Sequence, residues 1–466
     1  MRRLKYYLGI LVVVSQIPAN GYGQQDLLTI LQLALDNDPT LNQAEAQYRA
    51  NRENMIQSRS PLLPTLSVGG NTTRLTSGPT DTRVIEVENP MTGETITQVQ
   101  EDHSFRPGIN NHGWGVSLTQ SVFNLASWYN LQSARASDRA ASVNLAAQEQ
   151  DLILRVATAY FDVLRAQDLL ETNVQEEEAA LRSLEQTQQR EEVGLVAITD
   201  VFDAQAAYDL ARNTTILQNN ALRAAFEALE AITGRAHPDI EELEENFPVV
   251  EVEGSLDEWE DQANDNSLAI AASEYNLEAT RKTLDARRAD FLPTIDFQGN
   301  WAHQVTAPIV DQGIQIRGGA QDRTSLRLSL NIPLYAGGSR SSRRRAAEYN
   351  VMAARESLEL TRRQLTQNVR NAYRRVNTDV LVIAQRQRSI DSAQSALDAT
   401  ELGAEVGTRN IVEVLRAREN LFRALRQYAE ARYDYVLSSL ILKQVTGTLT
   451  PQDIIELNLW LAQSTP

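Results

Sequence analysis

Residue types that commonly carry out catalysis or bind metals are sparse in this 466-residue chain. Cysteine is absent, and no two histidines have the i,i+4 spacing that places a pair of metal ligands on one helix face. The four histidines are His103, His112, His237 and His303. Gly337 and Gly338 follow an alternating segment but lack the lysine of a phosphate-binding loop. We therefore predict no enzyme activity, no metal site and no cofactor.

The composition excludes several further classes of site. The formal net charge is −17 at pH 7, which argues against a nucleic-acid partner because phosphates are bound by basic patches. The absence of cysteine excludes disulfide bonds, a thiolate metal site and a lipid-modified N-terminal cysteine. Carboxylates are numerous, but on predicted helix surfaces they are usually solvated.

Residues 1–23 have the features of an export signal. A basic start precedes the apolar run 8–14, and the small residues Gly21 and Gly23 precede a predicted cut before Gln24. A membrane anchor would need about 20 apolar residues, and this run is shorter. No later run of 18 apolar residues exists. An exported chain of this kind is periplasmic, secreted or an outer-membrane β-barrel.

The sequence repeats its own plan once, with a first repeat and a second repeat. Arg59-Ser-Pro-Leu-Leu-Pro-Thr-Leu66 returns as Arg288-Ala-Asp-Phe-Leu-Pro-Thr-Ile295, 229 residues later. Val193-Gly-Leu-Val-Ala-Ile-Thr-Asp200 returns as Val406-Gly-Thr-Arg-Asn-Ile-Val-Glu413, 213 residues later. The first repeat therefore carries about 16 extra residues, which lie between Pro64 and Phe123. The predicted division is signal 1–23, first repeat 24–236, acidic linker 237–260, second repeat 261–447 and tail 448–466.

Each repeat is predicted to begin with a helix, interrupted at Pro39 in the first, and to continue into a β-hairpin. The hairpins span 64–123 and 293–335, where apolar and polar residues alternate, as in Leu326-Arg-Leu-Ser-Leu330. One apolar and one polar face fits lipid outside a barrel and water inside it. A soluble half-buried sheet has the same period, so strands alone leave both open. The extra loop 76–111 predicts a small additional hairpin.

Two spans without glycine or proline, 125–193 and 339–402, are far longer than ordinary helices of about 8–20 residues. At a rise of 1.5 Å per residue, each could reach on the order of 100 Å. Apolar and alanine residues recur in them at coiled-coil spacing. Gly194, Gly403 and Gly407 predict sharp turns, after which return helices complete the helical hairpins 125–233 and 339–446.

Four strands cannot close a membrane barrel, because an unpaired strand edge in lipid is prohibitively costly. Bacterial barrels begin at eight strands, and a water-filled lumen needs more. The chain must therefore oligomerise, and a trimer would supply 12 strands and 12 helices. The predicted fold class is an α+β membrane protein with two internal repeats, in which a trimeric 12-stranded β-barrel is continuous with a 12-helix periplasmic α-barrel.

Motifs across nearly the whole chain after the signal resemble the TolC family of outer-membrane efflux proteins. They are Ser60-Pro-Leu-Leu-Pro64, Leu118-Thr-Gln-Ser-Val-Phe123, Thr158-Ala-Tyr-Phe-Asp-Val-Leu164, Val193-Gly-Leu-Val-Ala-Ile-Thr-Asp-Val201, Val406-Gly-Thr-Arg409 and Gly447-Thr-Leu449. The resemblance implies a homotrimeric channel-tunnel in the outer membrane of a Gram-negative bacterium, with most of its mass in the periplasm. It implies a passive exit duct for drugs, detergents, toxins or proteins in a tripartite efflux pump or type I secretion system. The implied partners are outer-membrane lipid, a periplasmic adaptor and, through the adaptor, an inner-membrane pump of the RND, ABC or MFS type.

The resemblance also implies roles for particular residues. A gate network comprises Thr199, Asp200, Glu401 and Arg409, with Asp200 and Arg409 as a charge-assisted lock. Ala404 and Ser183 stand where the family has a tyrosine and a glutamine in this lock. A constriction ring comprises Glu413 and Arg416, which at i,i+3 could pair on one helix or be a solvated charge pair. The adaptor-docking tips comprise Gly194, Leu195, Val196, Gly407, Thr408 and Arg409.

Two alternatives remain beside this function. One is an exit duct dedicated to a single type I protein-secretion system. The other belongs to a different class, a periplasmic coiled-coil scaffold or adaptor. That reading explains the long helices and the export signal, but it does not explain four alternating strands placed directly before the helices.

Overall fold

The structure, a computed structural model, describes residues 25–75, 81–88, 90–102, 109–244, 246–311 and 314–462. The predicted export signal, 1–23, lies outside the described residues. The chain divides into two compact units. We call Met1–Arg49, Ala140–Glu274 and Glu356–Pro466 the helical unit, and Ala50–Arg139 and Tyr275–Arg355 the sheet unit. Each unit combines segments of both predicted repeats, so the units do not coincide with the repeats.

Among the described residues, two helices, four strands and two longer helices follow one another in the same order in both halves of the chain. The helices are α1 (Leu27–Asn37), α2 (Pro39–Arg59), α3 (Leu125–Glu192), α4 (Ile198–Thr233), α5 (Leu256–Asn266), α6 (Leu268–Ala289), α7 (Ser339–Glu405), α8 (Ile411–Val445) and α9 (Pro451–Asn458). The strands are β1 (Thr65–Leu75), β2 (Asp81–Glu88), β3 (Thr95–Asp102), β4 (Ile109–Phe123), β5 (Glu242–Leu243), β6 (Thr294–Thr306), β7 (Ile309–Asp311), β8 (Ile314–Ile316), β9 (Gly319–Asn331) and β10 (Leu461–Ala462).

In the sheet unit, β1, β4, β6 and β9 form one antiparallel sheet in that order. The register pairs Leu66 with Leu118 on one face and Ser67 with Ser117 on the other, where the two hydroxyl oxygens are 2.6 Å apart. Leu66 is 70% exposed and Leu326, on β9, is 73% exposed. The predicted alternation is therefore present, and the described residues leave much of the apolar face uncovered.

The strand predicted to run through the end of the hairpin 293–335 stops earlier, since β9 ends at Asn331. Pro333 has no N–H to donate to a neighbouring strand, which removes a hydrogen bond that a longer β9 would need. The predicted extra hairpin is present, because β2 pairs with β3 and Val84 lies opposite Val99. The second half has a smaller hairpin of β7 and β8, which the sequence did not indicate because its strands are only three residues long.

The two long helices are present as α3, with 68 residues, and α7, with 67 residues. Gly194 and Gly407 have φ of 75° and 77°, so both occupy the left-handed conformation that ends a helix. The turn predicted at Gly403 is wrong, because Gly403 lies inside α7. The absence of a side chain at Gly403 leaves room for Arg409, since a Cβ at this position would lie 2.7 Å from Cγ of Arg409.

The core of the helical unit surrounds two aromatic residues of α3, Tyr160 and Phe161, which are fully buried. The Tyr160 hydroxyl donates to the carbonyl of Glu241, 2.7 Å away, and so ties α3 to the segment after α4. The tail pairs with that segment through β10 and β5. Within the predicted linker 237–260, α5 begins at Leu256, where Ser255 and Glu258 form a capping box.

Across the described residues, none of the helices has a stretch both long enough and apolar enough to span a membrane.

Candidate functional site

The turn between α3 and α4, residues 190–200, is here called tip 1. The Gly194 N–H donates to the Glu191 carbonyl at 2.7 Å, and the Leu195 N–H donates to the Arg190 carbonyl at 2.8 Å. These bonds satisfy carbonyls that the end of a helix leaves without partners. Val193 and Leu195 are 70% and 74% exposed. Tip 1 therefore presents apolar side chains on a glycine turn.

The turn between α7 and α8, residues 402–413, is here called tip 2. The Gly403 carbonyl accepts from the Thr408 N–H at 2.8 Å and from the Arg409 N–H at 3.1 Å. Asn410 caps α8, since its side chain accepts from the Glu413 N–H at 2.9 Å and the Glu413 carboxylate accepts from the Asn410 N–H. Tip 2 is thus held by polar contacts, whereas Ala197 at the start of α4 provides no side-chain cap.

The predicted lock between Asp200 and Arg409 is not formed within the chain. The Arg409 guanidinium pairs with Glu413 at 3.2 Å, one turn further along the same segment. Thr199 and Asp200 lie in the first turn of α4, and neither side chain makes an ion pair or hydrogen bond with the described residues. Among the described residues, the Asp200 side chain therefore has no partner, whereas Arg409 is already paired with Glu413.

Glu401, the remaining predicted gate residue, has a partner that the sequence did not indicate. Arg418 of α8 donates from Nη2 to the Glu401 carboxylate at 2.7 Å and from Nη1 to the Ala179 carbonyl of α3 at 2.9 Å. One guanidinium therefore joins α3, α7 and α8. The sequence gives one indication of this contact. Arg418 lies four residues after Val414 and three before Leu421, so a charged residue shares a helix face with two buried apolar residues.

Arg426 makes a second link between α8 and α3, two turns further along α8. Its Nη1 donates to Oδ1 of Asn173 at 3.0 Å, and it forms an ion pair with Glu176. Asn173 is buried and Arg426 is largely shielded from solvent. Charge-assisted hydrogen bonds of this kind are stronger than neutral ones, so Arg418 and Arg426 form two points at which α3 and α8 are fastened.

The predicted pairing of Glu413 with Arg416 is wrong, because Glu413 pairs with Arg409 and completes the Asn410 cap. Arg416 is exposed and makes no ion pair with the described residues. Both side chains border a shallow surface depression between α7 and α8, which Ser389 and Ala393 also line. The exposed guanidinium of Arg416 can therefore contact a solute or another protein surface at this depression.

A buried polar contact continues the junction between α3 and α8 further from the tips. The Tyr433 hydroxyl donates to the Asp168 carboxylate at 2.6 Å. Burial raises the pKa of Asp168, and the hydrogen bond from Tyr433 opposes that rise. Asp434 follows directly and accepts from Arg165 of α3 at 3.0 Å. Contacts between residues more than 260 positions apart fasten the two helical hairpins.

No group of three or more histidine, aspartate or glutamate side chains in the described part of the chain could hold a metal ion. The polar residues near the tips instead form ion pairs and helix caps. An exposed apolar sheet face, very long helices and glycine turns together define a channel-forming class of outer-membrane protein.

Comparison with known proteins gives the family. The model of the outer membrane efflux protein family matches residues 30–235 and 259–448. The chain is 34% identical to the outer membrane protein TolC of Vibrio cholerae, across 93% of each chain. It is 25% identical to the alkaline protease secretion protein AprF of Pseudomonas aeruginosa, across 97% of this chain and 90% of that one. The fold is similar to the crystal structure of the outer membrane protein VceC from Vibrio cholerae, with a TM-score of 0.72 at 17% identity over 90% of this chain and 96% of that one.

The chain therefore belongs to the outer membrane efflux protein family. Within that family it is an outer-membrane channel for efflux or type I secretion. It resides in the outer membrane, with most of its mass in the periplasm.

Proposed function

We propose that three copies of the chain form one passive channel, with a 12-stranded barrel in the outer membrane and a 12-helix tunnel in the periplasm. The observation that supports this most directly is the pair of sheet edges. β1 and β9 each bond to one neighbour among the described strands, and the adjoining face is apolar and exposed. An unpaired edge is not stable in lipid. Because β1 and β9 run in opposite directions, β9 of one copy can pair antiparallel with β1 of the next.

The number of copies follows from the lumen that a channel needs. Two copies would give eight strands, and a barrel of that size is filled by its own side chains. Three copies are the smallest number that leaves a water-filled lumen. The polar sheet face, with Ser67, Ser117 and Asn300 in one row, would then line the lumen while the leucine face meets lipid.

Engineered cysteines test this closure, since the natural chain has none. Ser67→Cys on β1 is combined in turn with a cysteine at position 323, 325, 327 or 329 of β9. On oxidation in membranes, at least one pair is expected to give a covalent trimer on a denaturing gel. The single-cysteine variants are the controls and should remain monomeric. Covalent products that stop at the dimer, or a ladder that continues beyond the trimer, would contradict three-fold closure.

The tips are proposed as the gated, adaptor-docking end of this duct. Gly194, Leu195 and Val196 of tip 1 and Gly407 and Thr408 of tip 2 would form the docking surface, which the exposure of Leu195 supports. Thr199, Asp200, Glu401 and Arg409 would form the gate network between neighbouring copies and helix pairs. Docking of a periplasmic adaptor, itself bound to an inner-membrane pump, would open the gate. The channel performs no chemistry on its cargo in this proposal.

Replacing Arg409 with serine is expected to raise the single-channel conductance. The variant removes the ion pair with Glu413 and the cation that would meet Asp200 of another copy. An exposed ion pair contributes about 0.2–1 kcal/mol, so the fraction of time that the channel is open, and with it the mean conductance, should increase by roughly two-fold. Single-channel recording in planar bilayers measures the effect. Unchanged conductance would remove Arg409 from the gate.

Replacing Arg416 with aspartate is expected to increase cation selectivity. Arg416 is exposed beside Glu413. In a trimer, the wild-type ring would hold one acidic and one basic residue from each copy, and the ring of the variant would hold two acidic residues from each copy. The measurement is the reversal potential in a salt gradient, with Arg423→Asp, an equal change of charge on the same helix, as the control. Equal shifts for both variants would mean that Arg416 does not line the pore.

A further inference from the structure

The segment between β9 and α7 exposes large apolar side chains. Leu334 is 93% exposed and Tyr335 is 89% exposed, and Ile332 is also exposed. The segment then turns through Gly337 and Gly338, both with positive φ. It continues the exposed apolar face of the strand before it, where Leu328 and Leu330 are also exposed. Large exposed apolar surfaces of this kind usually mark a contact with another protein or with a membrane.

Four arginines follow this segment directly, within the first seven residues of α7. They are Arg340, Arg343, Arg344 and Arg345. Arg344 pairs with Glu348 at 2.8 Å, and Arg343 donates to the hydroxyl of Ser339 at 3.0 Å. Arg340 and Arg345 make no ion pair or side-chain hydrogen bond with the described residues. Three of the four guanidinium groups therefore have no carboxylate partner in the described chain.

This concentration of positive charge is unfavourable for the chain by itself. Arg340 lies three and four residues before Arg343 and Arg344, and like charges at these spacings destabilise a helix. The corresponding start of α3 in the first repeat carries Ser127, Asn130, Leu131 and Gln132 instead. The helix architecture therefore does not require the arginines. The chain as a whole has a net charge of −17, so a cluster of four arginines stands out against its overall acidic character.

We propose that residues 332–345, here called the basic belt, bind the anionic headgroups of phospholipids. Leu334 and Tyr335 would enter the boundary between headgroups and acyl chains, where aromatic residues are favoured. Arg340, Arg343 and Arg345 would reach the phosphates, which the planar guanidinium binds with two parallel hydrogen bonds. The inference goes beyond the proposed channel. The orientation in that proposal, with the helices in the periplasm, places the basic belt at the inner leaflet.

Lipid is favoured over a protein partner by the combination of groups in the basic belt. A cluster of arginines next to exposed leucine and tyrosine is the arrangement by which proteins bind anionic membrane surfaces. An acidic surface of a second copy would satisfy the arginines, but it would not explain why the apolar side chains of Leu334 and Tyr335 are exposed directly after β9. The second copy is therefore the alternative that the experiment must distinguish.

The test measures binding of a fluorescent phosphatidylglycerol and of the matching phosphatidylcholine to the purified full-length assembly in detergent micelles. Arg340→Gln, Arg343→Gln and Arg345→Gln are combined in one variant, and Arg344 is kept because it is paired. The control combines Arg355→Gln, Arg374→Gln and Arg388→Gln, which remove the same charge from exposed positions of the same helix. Circular dichroism and the mass of the assembly confirm that both variants fold and assemble.

The wild-type and control assemblies are expected to prefer phosphatidylglycerol, and the basic-belt variant should lose that preference by roughly ten-fold. High salt should weaken the wild-type preference, because the contact is electrostatic. Three results would overturn the proposal: no preference in the wild type, equal loss in both variants, or a basic-belt variant that falls apart into monomers while its lipid preference persists. The last result would assign the arginines to a second copy. None of these readouts depends on conduction, so a failure of the proposed gate would not alter them.

Discussion

Replacement of Arg155 with alanine is expected to destabilise the helical unit by about 3 kcal/mol, the lower end of the cost of removing one partner from a buried ion pair, because Asp38 is buried but the Arg155 side chain is 30% exposed. The guanidinium donates two hydrogen bonds to Asp38, both 3.0 Å long, and a third to Asp151. The Asp38 side chain is only 2% exposed. It also caps α2 by accepting from the Leu41 N–H at 2.7 Å. Without Arg155, a buried carboxylate would keep its helix cap but lose its counter-charge.

Chemical unfolding followed by circular dichroism in detergent measures this loss. Arg182→Ala is the matched control, because Arg182 lies in the same helix and its pair with Glu178 is exposed. Such a pair contributes about 0–1 kcal/mol. A double variant with Asp38→Asn should recover part of the stability, since it removes the buried charge. A loss for Arg155→Ala no larger than that for Arg182→Ala would contradict the prediction.

The ion pair between Arg155 and Asp38 also makes the stability of the folded protein depend on pH. Burial by itself raises the pKa of Asp38, but hydrogen bonds from Arg155 and Leu41 outweigh it and hold the pKa below its ordinary value of 3.8. A lowered pKa in the folded state stabilises the protein above pH 3.8, and this stabilisation is lost as the pH falls through the folded value. The difference in stability between wild type and Arg155→Ala should therefore shrink as the pH falls below about 4.

The fold was largely predictable because its main signals are local. Alternation in 326–330 gave the strand faces, and the absence of breakers gave α3 and α7. The errors have local causes as well. Pro333, which has no N–H for a strand hydrogen bond, follows β9, which ends at Asn331, before the predicted boundary. Gly403 was assigned to a turn, although its role is to leave room for Arg409.

The contacts near the tips were not predictable in the same way. Arg418 and Ala179 are 239 residues apart, and Arg426 and Glu176 are 250 residues apart. No helical period relates such positions, and which carboxylate an arginine reaches depends on how two long helices are aligned. The lock between Asp200 and Arg409 stays a prediction about neighbouring helix pairs, and within the chain Arg409 pairs with Glu413. The unexpected residue is Arg418, which binds the predicted gate residue Glu401.

Arg418 and Arg426 would contribute to the proposed gate if its opening separates α8 from α3. Arg418 holds Glu401 of α7 and the Ala179 carbonyl of α3, and Arg426 holds Asn173 and Glu176 of α3. Hydrogen bonds to charged groups contribute about 1.5–3 kcal/mol each. Arg409, by comparison, forms an exposed ion pair with Glu413. If the closed state depends on the junction of α3 and α8, these two arginines stabilise it more than the lock residue does.

We therefore expect the double variant Arg418→Ala/Arg426→Ala to have a larger conductance increase than Arg409→Ser. Loss of one charged hydrogen bond changes a two-state equilibrium by on the order of ten-fold, so the open fraction should rise by at least that factor. Single-channel recording in planar bilayers measures it. Arg423→Ala is the matched control, because Arg423 lies between the two on α8 and, in the described part of the chain, pairs only with Glu419 and Asn420 of its own helix. An equal response of the control would show that loss of charge on α8, and not the contact with α3, governs the conductance.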